Sequence, residues 1–202
     1  MLLIKNGKIM TMAGDNIEKG SILINDGKIK NIGIDIEIPP KCEVINVNGA
    51  WVLPGLMDAH CHIGILEETI GFEGRDVNEA TDPITPQLRA IDGINPMDPA
   101  FNEAVKAGIT TVMTGPGSAN VIGGQFLVMK TNSICVDDGV IFNNAAVKIA
   151  FGENPKSIYH GKNKMPMTRM GIAGLLRETL VSAINYMHEK EEATVKGKYF
   201  NI

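Results

Sequence analysis

The amino-acid pattern points to a mixed α/β chain in two parts, an all-β unit over residues 1–53 and strand and helix units over residues 54–202. Three observations carry this. Residues 1–53 alternate apolar and polar side chains in short runs broken by turn residues, the period-two pattern of half-buried strands. From Pro54 onward a strand, a capped helix and a β-branched strand follow in order, as parallel strands joined by a crossover helix require. Near the C-terminus apolar residues recur at three-and-four spacing, which marks an amphipathic helix.

In the first part the runs are LLIKN, KIMTM, SILIN, KIKNIG, EVINVN and AWVLP. Asn25-Asp26-Gly27 stands between two of them, and Asp-Gly tolerates the positive φ angles of a type I′ turn, so a tight hairpin is expected there. Asn48-Gly49 repeats that chemistry. Strands so few and short close no large core, and a sandwich-like cap completed by other parts of a fold is expected. In the second part Asp98-Pro99 reads as an N-cap followed by proline, Phe101, Ala104 and Val105 form an apolar stripe, and Gly108 ends the helix. The strand Ile109-Thr110-Thr111-Val112-Met113 follows and stops at Thr114-Gly115-Pro116-Gly117. Further strands are expected over 123–128 and 145–150, with turns around Asp137-Asp138-Gly139. A helix capped by Thr168 carries Ile172, Leu175, Leu176, Leu180, Ile184 and Met187 on one face. Charged residues 189–198 lie beyond it, and the tail Tyr199-Phe200-Asn201-Ile202 is expected to add no strand.

Composition excludes several function classes. A hydrophobic fraction of 44%, a charged fraction of 21% and a mean hydropathy of +0.04 suit a folded globular chain. The net charge of -4, with both signs interspersed, leaves no basic face for a phosphate backbone, so nucleic acid is not an expected partner. Residues 1–8 lack the basic and apolar regions of a signal peptide, and no apolar run reaches the roughly 18 residues that span a bilayer. A cytoplasmic protein without a membrane partner is expected. Cys42, Cys61 and Cys135 are odd in number and widely spaced with no C-x-x-C pair, which suits reduced thiols rather than a disulfide framework or zinc knuckle. The eleven methionines, Met165, Met167 and Met170 among them, read as core filler.

Chemistry concentrates in Val52-Leu53-Pro54-Gly55-Leu56-Met57-Asp58-Ala59-His60-Cys61-His62. In an extended strand side chains alternate faces, so His60 and His62 point one way and Cys61 the other. Two imidazoles on one face can hold one divalent metal ion, and the C-terminal end of a parallel strand is where α/β proteins place chemistry. Asp58 either orients a ligand imidazole or simply ends the strand.

A run of β-hairpins followed by W-V-L-P-G-L-M-D-A-H-C-H resembles the amidohydrolase superfamily, especially its imidazolonepropionase-like branch. The likeness is specific through Thr114, where A-G-I-T-T-V is similar to a second barrel strand, and it thins through Gly152-Glu153-Asn154-Pro155 and T-R-M-G-I. The resemblance implies an N-terminal β-sandwich portion over 1–53 and, over 54–202, the first part of a (β/α)₈ TIM-type barrel. It implies a hydrolase cleaving a non-peptide or cyclic amide C–N bond through a metal-activated water. Zinc is the first choice of metal, with iron, manganese, nickel or copper as alternatives for two imidazoles. The same resemblance places a carboxylate or carboxylated lysine near mid-barrel, histidines on the fifth and sixth strands, and an aspartate base on the eighth.

Only part of that set stands in this chain. About 150 residues remain after the first unit, enough for three or four strand and helix units, well short of a complete barrel. Lys148, in a strand-like run, and Glu153, in the loop after it, are candidate metal ligands beside His60 and His62. The plainer readings are an ion pair for Lys148 and a turn cap for Glu153. His160, in a polar loop, and His188, at the end of the last helix, read as exposed or capping residues. Gly115-Pro116-Gly117-Ser118 and Gly123-Gly124 match no phosphate-binding motif and read as mobile turn glycines, and Ser118 has no nucleophile elbow around it. Three outcomes follow: one part of a working enzyme, as a truncated piece of a longer chain or as a half that works as a homo-oligomer or with a complementing C-terminal half; a metal-binding scaffold without turnover; or an inactive fragment with open edges. The isolated chain is expected to be inactive.

Overall fold

The computed structural model describes residues 1–198 and Phe200, and the chain divides into two compact units, Met1–Gly55 and Leu56–Ile202. The expectation for the tail at Tyr199, Asn201 and Ile202 lies outside the described residues.

The first unit is a five-stranded sheet of β1 (Leu2–Ile9), β2 (Ile17–Asn25), β3 (Lys28–Gly33), β4 (Glu43–Asn46) and β5 (Trp51–Val52), ordered β3-β2-β1-β4 with β5 beside the far end of β1. The β2–β3 hairpin closes on the pair Asn25↔Lys28, with Asp26 at φ 49° and Gly27 at φ 69° as the type I′ turn demands. Asn48 and Gly49 share that conformation, at φ 49° and 84°, but make no hairpin, because β4 and β5 both run parallel to β1. KIMTM is not a separate strand. Lys8 and Ile9 belong to β1, whose register slips around Gly7, and a Cβ there would stand 2.7 Å from Val52 Cγ2. Leu3, Ile9 and Ile22 are buried, and the unit is one sheet layer among the described residues, where a sandwich needs two.

The second unit holds a sheet ordered β6-β7-β8-β9, from β6 (Leu56–Cys61), β7 (Ile109–Thr114), β8 (Ile122–Lys130) and β9 (Val140–Ile149). Its helices are α1 (Pro99–Lys106), α2 (Val136–Gly139), α3 (Glu153–Gly161) and α4 (Arg169–Val195). The Asp98 side chain accepts from Ala100 N at the head of α1, and Gly108, at φ 81°, follows its end. β6 and β7 are parallel with α1 between them, while β8 is antiparallel to both β7 and β9. This corrects the reading of successive strand and helix units, and no barrel portion is evident among the described residues. The physical reason is length: residues 115–121 between β7 and β8 are too few for the dozen or more that a parallel crossover needs. By this topology β6, β7 and β9 run in one sense, so their C-terminal ends and the start of β8 share one edge of the sheet.

The core gathers Ile65, Ala90, Ile94, Phe101, Val112, Leu127 and Met129. Residues 62–98 contribute to it with only two short 3₁₀ turns, Phe72–Gly74 and Ala90–Asp92, and they border β8 through Thr85 N→Ile122 O and Gln125 N→Leu88 O. Asp137-Asp138-Gly139 forms the single helical turn α2 rather than an irregular turn, and Glu153 and His160 lie in α3 rather than in loops. Thr168 caps α4 by accepting from Gly171 N, as expected, yet the helix runs on through the charged residues to Val195. Its apolar stripe outlasts the core: Ile172 is buried, while Leu180, Ile184 and Met187 are exposed. Met165, Met167 and Met170 are also exposed rather than core filler, because they flank the α4 start where little packs over them. Among the described residues no helix is long and apolar enough to cross a membrane.

Candidate metal centre

The site begins with a kink in β6. Asp58 Oδ1 accepts from the backbone N–H of His60 at 3.0 Å, and the register with β7 shifts between Asp58 and Cys61. Asp58 thus shapes the backbone under His60 rather than touching its ring. Cys61 turns away, its half-buried thiol 3.7 Å from Met113 O, and burial pushes that thiol's pKa up. The rings of His60 and His62 stand edge to face with centroids 5.4 Å apart.

Each ring is oriented by a partner from another strand. His62 Nδ1 lies 2.6 Å from Gly115 O, just beyond β7. A carbonyl only accepts, so that nitrogen carries a proton and donates it to Gly115 O. Lys148 Nζ, on β9, stands 3.1 Å from His60 Nε2 and donates to it, which makes that nitrogen an acceptor too. Desolvation first, then the neighbouring Lys148 and His62, lower the His60 pKa from 6.5, with Asp58 opposing. Burial lowers the Lys148 pKa. The lowered pKa favours the neutral form of His60, the form that binds cations.

The centre is floored by Phe126 of β8, 3% exposed, whose ring lies 5.4 Å from that of His60 and 5.9 Å below Lys148 Nζ. Gly115 packs on this ring so closely that a Cβ would stand 2.3 Å from Phe126 Cγ. At Gly124, where φ is 125°, a Cβ would meet Leu88 O at 2.6 Å. These glycines are sites of close approach, not mobile turns. Phe126 and the role of the Gly115 carbonyl were missed from sequence; the glycine-rich turn after a strand was the available signal.

The structure brings His60, His62 and Lys148 together. Lys148 has no carboxylate partner among the described residues, so the ion-pair reading fails. Glu153 is the exposed first residue of α3, and among the described residues no third His, Cys, Asp or Glu joins the two histidines. His160 and His188 are exposed on α3 and α4. Two imidazole nitrogens beside a lysine nitrogen suit a divalent cation in donor type, and Lys148 would have to give up its hydrogen bond to His60 Nε2 for a cation to take that lone pair.

No profile of a known protein family matches the chain. It is 33% identical over 168 residues to amidohydrolase tasK of Hapsidospora irregularis, covering 75% of this chain and 17% of that protein. It is 36% identical over 106 residues to an imidazolonepropionase of Kosmotoga olearia, covering 46% and 26% of the two. A solved amidohydrolase from Thermotoga maritima superposes with a TM-score of 0.95 at 43% identity, over 100% of this chain and 52% of that one. The chain thus spans about half the length of the solved relative and matches 17% and 26% of these curated ones. The motif and these likenesses together show that the chain belongs to the amidohydrolase superfamily.

Proposed function

We propose that this chain is part of a metal-dependent amidohydrolase acting on a non-peptide or cyclic amide C–N bond, with His60, His62 and Lys148 as the protein's share of the metal centre. One observation carries the reading: the His60 and His62 rings stand 5.4 Å apart, and Lys148 Nζ comes from β9 to 3.1 Å from His60 Nε2. A divalent cation held there, zinc in the first place with iron, manganese or nickel as alternatives, supplies a Lewis acid and an acidified water near neutral pH. Gly115 O orients the His62 ring through Nδ1, and desolvation together with Lys148 favours neutral His60. Lys148, carboxylated on Nζ, would bridge two such cations; Glu153 is the weaker candidate because the described site does not include it. The parallel β6 and β7 with α1 are read as the first unit of a (β/α)₈ barrel, and residues 1–53 as part of a sandwich. A small-molecule amide is the substrate class, the compartment is the cytoplasm, and completion comes from a homo-oligomer or a complementing C-terminal half.

Zinc titration by calorimetry tests the centre: the 202-residue chain should bind less than one tight equivalent, and the double variant His60→Ala, His62→Ala should bind none. Tight stoichiometric zinc in the double variant sinks the assignment. A scaffold without turnover is the second reading, favoured by the want of a carboxylate base beside the histidines among the described residues. Both readings expect negligible amide hydrolysis by the isolated chain, and they part when a C-terminal half restores it or fails to.

A further inference from the structure

We infer that Asn120 and Tyr159 are positioning residues for this centre, locking residues 115–121 to the corner between β9 and α3 so that Gly115 O stays against His62 and Lys148 against His60. The inference rests on the metal-site reading above. Residues 115–121 open with the carbonyl that orients His62 and lead into β8. Gly117 N donates to Val77 O at 2.7 Å, and Ala119 N to Asn78 Oδ1 at 3.1 Å. Asn120, 2% exposed, uses both sides of its amide: Nδ2 donates to Glu79 O at 2.6 Å and to Thr85 Oγ1 at 2.8 Å, and Oδ1 accepts from the Tyr159 hydroxyl at 2.7 Å. The Thr85 hydroxyl passes the chain on to Ile122 O at 3.0 Å. Tyr159 is wholly buried on α3, and its pKa is pushed up to about 12 by burial first and by Asp82 and Glu79 next, so it remains a donor.

α3 begins just after β9, the strand that bears Lys148. Two further bonds tie this corner to the same loop: Ala150 N donates to Val121 O at 3.1 Å and Asn154 Nδ2 to Ser118 Oγ at 2.5 Å. The carbonyl that sets His62 and the strand that brings Lys148 to His60 are therefore fastened through one buried amide and one buried phenol. A buried network of this kind admits a single arrangement, because any slip leaves a polar group without a partner. Neither residue hydrogen-bonds to His60 or His62, so both act through backbone they hold in place.

Tyr159→Phe tests this, since it keeps the ring and removes only the donor to Asn120. The first readout is the Nδ1 proton of His62 in the nitrogen-15 spectrum of the metal-free 202-residue chain, and the second is zinc affinity by competition titration. The variant should exchange that proton faster with solvent and bind zinc about tenfold more weakly, as supporting partners of metal ligands typically do. Thr131→Val is the matched structural loss, since Thr131 is buried and donates to Ile109 O at the opposite end of the sheet. It should lower Tm and leave both readouts unchanged. If Tyr159→Phe behaves like Thr131→Val, the inference is overturned. If zinc binds neither protein, the metal reading fails, while the His62 proton still decides the positioning. Should Tyr159→Phe not fold, Thr85→Val, which removes the hydroxyl that accepts from Asn120 Nδ2, takes its place: a loosened His62 proton supports the lock, and an unchanged one overturns it.

Discussion

β6 and β8 belong to one sheet but divide its labour. Leu56 through His60 of β6 are all exposed, whereas β8 is buried along most of its length. β6 carries His60 and leads into His62; β8 has no histidine, cysteine or carboxylate, yet it sets Phe126 beside His60 and pairs Gly124 with Lys148. The difference suits a strand proposed to hold metal ligands. Burial of apolar surface supplies stability, but an imidazole that binds a cation must keep its lone pair reachable, so the rigid frame is built from the neighbour.

Substitutions in the two strands should therefore act on different observables. The largest loss of stability is expected for Phe126→Ala, about 3–5 kcal/mol for deleting a buried phenyl ring, read as a lower urea midpoint with the slope unchanged. A cost under about 1 kcal/mol would mean that β8 does not frame the site. Gly115→Ala forces a methyl into the Phe126 ring and should cost about 1–3 kcal/mol while also weakening zinc binding, because the carbonyl facing His62 moves with it. His60→Ala should change stability by less than about 0.5 kcal/mol, since the residue is exposed, yet remove most zinc binding. A destabilisation matching that of Phe126→Ala would erase the division between the strands. The smallest effect is on pH dependence. The His60 pKa lies below 6.5 in the fold, so just below pH 6.5 the unfolded chain binds more protons, and stability falls as pH drops through that window. His60→Gln should flatten that slope, and Lys148→Met should move the His60 titration midpoint upward in proton spectra.

Local chemistry announced local features well. Asp26-Gly27, the Asp98 and Thr168 caps, and the β-branched run at 109–113 lie where residue preferences alone place them, because turns and caps are settled within a few residues. The His60 and His62 pair was legible too, since alternation within six residues suffices. The sense of β8 was not, because period-two patterning is the same for parallel and antiparallel neighbours. Nor was the segment 62–98, whose isolated apolar residues Ile65, Ala90 and Ile94 follow no period although they enter the core. The exposed stretch of α4 escaped for the converse reason: its stripe is regular, but periodicity does not say whether anything covers it.

From residue order alone came the two-part division near residue 54, the turn types, the helix caps and the pairing of His60 with His62, all matters of short-range backbone preference and side-chain chemistry. Folding was needed to bring Lys148 onto His60 across 88 positions, Gly115 O onto His62 across 53, and Tyr159 onto Asn120 across 39. Contacts at such separations depend on which strands pair and in what register. That choice is made by the packing of the whole sheet, to which no single stretch of sequence holds the answer.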